Sequence, residues 1–165
     1  MSLGASGTVV QGNEISRNGG SGGVVSGPTT VGNTILSNSI YGNAGGGISL
    51  VQEANRRQVA HKLTSARLAR RRIAITGTIA GWRGDVYRIK FFASLPGDAT
   101  AARNAQGRML IGYRDVQLTG SIATIHASFA TAGIPVKHWN TATATGLVNK
   151  ASADTSQIAG GIRAR

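Results

Sequence analysis

The chain has 165 residues and is 41% hydrophobic, enough for one or two small domains, yet only 5% of it is aromatic. Charged residues make up 15%, and 18 Lys+Arg against 6 Asp+Glu give a net charge of +12. This balance excludes a disordered tail, and the glycines lack the every-third register of collagen. No apolar run of about 18 residues occurs, so no membrane-spanning helix is expected. The absence of cysteine excludes a disulfide framework, a thiolate metal site and a cysteine nucleophile.

Residues 1–7 carry neither a basic segment nor an apolar core of the kind that opens a signal peptide. The opening Met-Ser-Leu reads as an added start, and the sequence is expected to be part of a longer protein.

Charge and composition divide the chain near residue 51. Residues 1–50 contain Arg17 and Glu14 as their only charged groups and take a disproportionate share of the 24 glycines. The whole net positive charge therefore lies beyond residue 50.

The first part repeats itself. Asn13-Glu14-Ile15-Ser16-Arg17-Asn18 aligns with Asn38-Ser39-Ile40-Tyr41-Gly42-Asn43 at an offset of 25. A glycine cluster and an apolar pair follow each copy: Val24-Val25 in one, Ile48 and Leu50 in the other. A half-copy, Asn33-Thr34-Ile35, sits between them. Short strands with Gly/Asn corners at such a period point to a β-solenoid. Asn and Gly tolerate the left-handed backbone of sharp corners, Ile15, Ile35, Ile40 and Ile48 point inward, and stacked asparagines can hydrogen-bond in a ladder. The bland alternative is a flexible linker, which would not keep Ile in phase. Two coils are too few to be stable alone, so further coils are expected upstream.

Residues 52–72 form a basic connector. Ala, Leu and Arg favour a helix with Val59, Leu63 and Ala66 on one stripe. Equally, Leu63-Thr64-Ser65-Ala66 could begin a strand. Residues 73–165 alternate apolar and polar positions around Ile73, Ile75, Ile79, Ile89, Phe91, Ile125 and Trp139. Turn signals at Gly81–Gly84, Pro96-Gly97-Asp98, Thr119-Gly120, Gly133-Ile134-Pro135 and Gly146 separate short strands, including Met109–Ile111 and Val116–Leu118. The spacing predicts a β-sandwich. The fold class expected for the chain is all-β: last coils over 1–51, connector over 52–72, sandwich over 73–165.

Several stretches carry a resemblance. Asn38–Asn43 with Gly46-Gly47-Ile48-Ser49-Leu50 resembles a last coil, and Leu63–Ala66 a sandwich entry. Thr76-Gly77-Thr78-Ile79 with Tyr87–Ser94, and Thr141–Thr145 with Asp154-Thr155-Ser156, resemble the body of such a sandwich. Together they resemble large bacterial secreted or surface-associated proteins in which right-handed parallel β-helix repeats precede a C-terminal immunoglobulin-like β-sandwich. The resemblance implies that architecture and a secreted or cell-surface location, and it implies no activity. Ser49 stands where such proteins usually carry Asp, and Gln52–Arg57 replaces an Asp-rich connection.

Chemistry-bearing residues are sparse. The first fifty residues hold one acid, so a pair of carboxylates for glycoside cleavage is impossible there. The six acids are scattered and the three histidines lack zinc-pair spacing, so no resident metal and no cofactor is expected. No Gly-x-Ser-x-Gly elbow occurs. His126 reads as a surface residue. The reading leans away from an enzyme; the alternative is a carbohydrate-active β-helix, lyase- or hydrolase-like, with its catalytic coils upstream.

One feature stands out: Arg56, Arg57, Lys62, Arg67, Arg70, Arg71 and Arg72 fall within seventeen residues with no acid among them. They are candidate polyanion-binding residues, set against a solvated connector. An anionic polysaccharide or lipopolysaccharide is the favoured partner class. Nucleic acid is disfavoured because the aromatics do not interleave with the arginines. The first expectation for function is a non-enzymatic structural or adhesion module. The sequence leaves the oligomeric state open.

Overall fold

The computed structural model describes residues 1–2, 4–58, 61–96, 98, 105–131, 134, 138–148 and 151–165. The expected stripe residue Val59 and the turn residues Gly97, Gly133 and Pro135 lie outside the described residues. The fold is all-β, with 54% of residues in strands.

Six short strands occupy the first part: β1 (Val9–Gln11), β2 (Glu14–Ser16), β3 (Gly23–Ser26), β4 (Thr34–Leu36), β5 (Ser39–Tyr41) and β6 (Ile48–Val51). They pair in parallel as β1–β4, β2–β5 and β3–β6. Each register joins residues 25 apart, as in Val10–Ile35, Ile15–Ile40 and Val25–Leu50. The interior holds Val25, Ile35, Ile40, Ile48 and Ala54, each at most 7% exposed. Ile15 is half-buried and packs against this group. Burying each branched side chain contributes about 2 kcal/mol.

A finer period of five lies inside the repeat. Positive φ recurs at Gly7, Gly12, Arg17, Gly27, Gly32, Ser37, Gly42 and Gln52. Asparagine follows directly at 13, 18, 33, 38 and 43. The expected corner role for Asn is therefore corrected: among the described asparagines only Asn55 has positive φ. The residue before each Asn makes the corner, and the Asn side chain does the bonding. Asn38 Oδ1 accepts the Asn13 N–H at 2.9 Å, and Asn38 Nδ2 donates to Val10 O at 2.8 Å. Asn43 repeats this with the Asn18 N–H at 3.1 Å and Ile15 O at 3.0 Å. Gly45 has a different reason: a Cβ there would meet Ser21 N at 2.6 Å.

After a left-handed 3-10 turn at Ala54–Arg57, the remaining strands are antiparallel. They are β7 (Lys62–Ala69), β8 (Arg72–Ala80), β9 (Val86–Ser94), β10 (Met109–Gln117), β11 (Ile122–Ala130), β12 (Trp139–Val148), β13 (Ala151–Thr155) and β14 (Ile162–Arg163). Of the two readings open for the stretch after residue 58, the strand is the one observed. The two runs expected at Met109–Ile111 and Val116–Leu118 fall on one strand, β10, which ends at Gln117 just before Leu118 and carries an irregularity between Leu110 and Gly112.

These strands form a three-stranded sheet, β11-β8-β7, and a five-stranded one, β10-β9-β12-β13 with β14 on β12. Ile73, Ile75, Ile79 and Ile125 from the first meet Ile89, Phe91, Ala142 and Ala144 from the second in one core, a sandwich-like arrangement. Phe91 is fully buried, its ring centroid 5.3 Å from that of Phe129. Trp139 is only half-buried. The C-terminal residues tie the sheets together: Ile162 and Arg163 pair with β12, while the Leu68 N–H donates to Arg165 O at 2.8 Å.

His61, just before β7, is 3% exposed, and neither ring nitrogen makes a hydrogen bond of normal geometry. Burial pushes its pKa down to about 4, with a backbone contact from Ala142 opposing in part. An imidazole in the unfolded chain titrates near about 6.5, so the unfolded state takes up the proton first as pH falls. Stability is therefore full above about pH 6.5 and declines toward pH 4, by about 3 kcal/mol at most. Urea unfolding at pH 7 and pH 4.5 is expected to show this loss. His61→Leu is expected to remove most of it, and an undiminished slope in that variant would contradict the assignment.

Candidate functional site

The fold divides the basic run in two. Arg56 and Arg57 lie on the left-handed turn after β6, and both are neutralised. Arg56 Nη1 stands 2.7 Å from Asp154 Oδ2, and Arg57 Nη2 stands 2.8 Å from Glu53 Oε1. Asp154 arrives from β13, where its other oxygen accepts the Gly32 N–H at 2.5 Å. The two arginines border an open cleft of about 450 Å³ with Gln58, Trp82, Tyr87 and Asp154. Trp82 is 84% exposed there. Burial, then the Asp85 carboxylate, pushes the Tyr87 hydroxyl above its usual pKa.

Lys62, Arg67, Arg70, Arg71 and Arg72 gather elsewhere, on the outward face and hairpin end of the three-stranded sheet. Strand register sets out that face in rows across β7, β8 and β11: Lys62–Thr78–Thr124, Ser65–Thr76–His126, Arg67–Ala74–Ser128 and Ala69–Arg72–Ala130. Leu63, Ala66, Ile73, Ile75 and Ile125 are buried in the core, whereas Lys62, Arg67, Arg72, Thr124, His126 and Ser128 are exposed. Arg72 donates to Ser128 Oγ at 3.1 Å and to Ser128 O at 3.0 Å. The Thr76 hydroxyl meets those of Thr64 at 3.0 Å and Ser65 at 2.7 Å. Arg70 and Arg71 form the two-residue β7–β8 turn with φ of 47° and 60°, the handedness that a tight hairpin requires. Glycine or asparagine is usual there; two arginines accept strained backbone and project two charges.

Every acidic side chain is engaged away from this face. Glu14 bonds Tyr41 and Ser16, Asp85 holds the Trp82 N–H and Tyr87 hydroxyl, and the other four pair with Arg56, Arg57, Arg88 and Arg108. The Arg88 guanidinium holds the Asp115 carboxyl below its usual range. Among the described residues, none of Lys62, Arg67, Arg70, Arg71 and Arg72 has a carboxylate partner.

Two further cations join them from the other end of the sequence. A cleft of about 730 Å³ runs along β7, lined by Thr64, Ser65, Arg67, Leu68, Arg163 and Arg165 among others. Arg163 also lies over the Trp139 ring, 6.0 Å from its centroid. Sequence reasoning missed both arginines, because nothing local marks Ile162–Arg163 as the strand that pairs with β12 and brings the tail to β7.

The second notable constellation is where the asparagine ladder stops. Gln106 Oε1 accepts the Asn43 N–H at 2.9 Å, and its Nε2 donates to Asn43 O at 3.1 Å. Asn55 Oδ1 accepts the Asn33 N–H at 3.1 Å, and its Nδ2 donates to Asn33 O at 2.7 Å and Thr155 O at 3.2 Å. In both cases the amide oxygen takes the backbone N–H that a next asparagine would take, while the donated bond goes to the same residue's carbonyl and not to the one three residues earlier, as at Val10 and Ile15. Ile40 and Gly107 exchange backbone hydrogen bonds of 2.8 Å beside them, and Ile158 packs into the N-terminal interior.

Among the described residues no group of three or more His, Cys, Asp or Glu could hold a metal, and no helix is long and apolar enough to cross a membrane. Compared with known proteins, the chain matches no family model and no curated sequence.

Proposed function

We propose that residues 1–51 are the last coils of a right-handed parallel β-helix. The antiparallel strands β7–β14 are an immunoglobulin-like sandwich that closes it, and β7 belongs to it although it lies within the stretch 52–72 expected as a connector. Together they serve as a non-enzymatic structural and adhesion module of a secreted or cell-surface bacterial protein. The setting rests on the family resemblance. The architecture is supported by parallel registers of 25 residues and by in-phase corners.

The observation that carries the reading is the substitution of Gln106 and Asn55 for the next asparagines of the ladder. A stack of parallel strands ends in unpaired backbone groups, a template for uncontrolled addition of further strands. Here the second repeat is covered at Asn33, Ile40 and Asn43 by groups from outside the repeats. The sandwich thus acts as a lid that stops the stack at a defined place. Among the described residues, β1 and β2 pair only with β4 and β5.

The test of the non-enzymatic part is direct. Incubation with polygalacturonate and with alginate is expected to release neither reducing ends nor unsaturated products. Release of either by purified protein would overturn it.

A further inference from the structure

We propose that the outward face of β11-β8-β7, with the cleft beside β7, binds an extended acidic polysaccharide through Lys62, Arg67, Arg70, Arg71, Arg72 and Arg163. The inference goes beyond the structural role and does not depend on it.

Charge is the first argument. Like charges repel, and this chain spends all of its acidic side chains elsewhere while leaving these cations without a side-chain carboxylate. Such an arrangement costs folding free energy, and a polyanion laid across it removes the cost. Arg56 and Arg57 do not share this property, because Asp154 and Glu53 already neutralise them.

Shape is the second. Strands stand about 4.8 Å apart and like-facing residues about 7 Å apart, so the cations step diagonally across a nearly flat face about 20 Å long. Between them lie small hydroxyl-bearing side chains, Thr64, Thr78, Thr124 and Ser128, with His126 in the middle row. Hydroxyls and guanidinium groups match sugar hydroxyls and uronate carboxylates, and Arg presents the forked donors that suit a carboxylate.

Composition separates the occupants. The outward positions of β7, β8 and β11 hold no Phe, Tyr or Trp, since Phe129 turns into the core, and the Trp139 ring lies under Arg163. A single-stranded nucleic acid needs aromatic platforms for its bases, so it is the weaker fit. Of the large apolar side chains exposed on β7, β8 and β11, Leu68 stands at the cationic end and Ile122 at the opposite end of the sheet, so the two form no contiguous apolar wedge for a lipid surface.

The experiment titrates the full chain at low and moderate salt with polygalacturonate. A single-stranded oligothymidylate and phosphatidylglycerol vesicles serve as comparators. The triple variant Lys62→Gln/Arg67→Gln/Arg163→Gln is expected to weaken polygalacturonate binding by about tenfold or more. Arg70→Asn/Arg71→Gly puts preferred residues into the hairpin turn, so it is expected to fold at least as well while binding more weakly. Arg17→Gln/Arg83→Gln/Arg114→Gln removes the same charge from other exposed positions and is expected to change affinity by less than about twofold. Equal losses in the two triple variants would overturn the proposal, as would no measurable binding at low salt. Tighter binding of the oligonucleotide or the vesicles than of polygalacturonate would overturn the choice of occupant.

Discussion

Asn55→Ala is expected to destabilise the chain by about 3–5 kcal/mol, out of proportion to the loss of one polar side chain at the end of a repeat. Asn55 is fully buried and its amide makes three hydrogen bonds: from the Asn33 N–H, to Asn33 O and to Thr155 O. Alanine leaves those groups enclosed without partners, at about 1–3 kcal/mol for each one that water cannot reach. It also breaks a joint, because Thr155 belongs to β13 and Asn33 to the repeats. Asn13→Ala supplies the contrast. Asn13 sits at the open side of the ladder, is exposed, and its amide donates to Gln11 O at 3.0 Å and Asn38 Oδ1 at 3.1 Å. Its loss is expected to cost less than about 1 kcal/mol. Urea unfolding followed by circular dichroism measures both. Equal effects would mean that the buried amide is no joint.

Phe91→Ala is expected to cost a comparable amount, about 3–5 kcal/mol, by a different route. Phe91 lies on β9 at the middle of the five-stranded sheet, is fully buried and packs on Phe129 from the opposite sheet. Alanine leaves a cavity between two sheets that cannot collapse freely, because β9 is hydrogen-bonded on both sides, to β10 and β12. Trp82→Ala removes a larger ring with an expected effect within about 0.5 kcal/mol, since Trp82 is 84% exposed. Thermal melts of the two variants separate these cases, and a Trp82 effect as large as that of Phe91 would contradict the packing described.

The parts of the structure legible in the sequence were those written in local periodicity. The 25-residue offset between Asn13–Asn18 and Asn38–Asn43 is the parallel register itself. The inward isoleucines and the alternation around Ile73, Ile75, Ile89 and Phe91 followed from side-chain period alone. The five-residue phase was within reach too. It was obscured because its marker is a backbone angle, adopted by Gly in some turns and by Arg17 or Ser37 in others.

What local pattern could not supply was long-range partnership. Gln106 lies 63 residues from Asn43, in a stretch without strand alternation, yet it takes the place of a ladder residue. Arg56 looks like part of an uncompensated run until Asp154, 98 residues on, appears beside it. Arg163 belongs with Arg67 only because β14 carries the tail toward β7. The seven cations of the basic run therefore separate into a neutralised pair and an unpaired group. Arg70 and Arg71 hid a hairpin because they occupy positions where Asn and Gly normally announce one.

The most direct measurement is the set of amide nuclear Overhauser contacts across the N-terminal repeats and onto their lid. The account predicts cross-strand contacts between residues 25 apart, at Val10–Ile35, Ile15–Ile40 and Val25–Leu50. It predicts a further contact between the amides of Ile40 and Gly107. Sequential helical contacts within residues 8–50, or pairing of those residues with β7–β11 in place of one another, would contradict it.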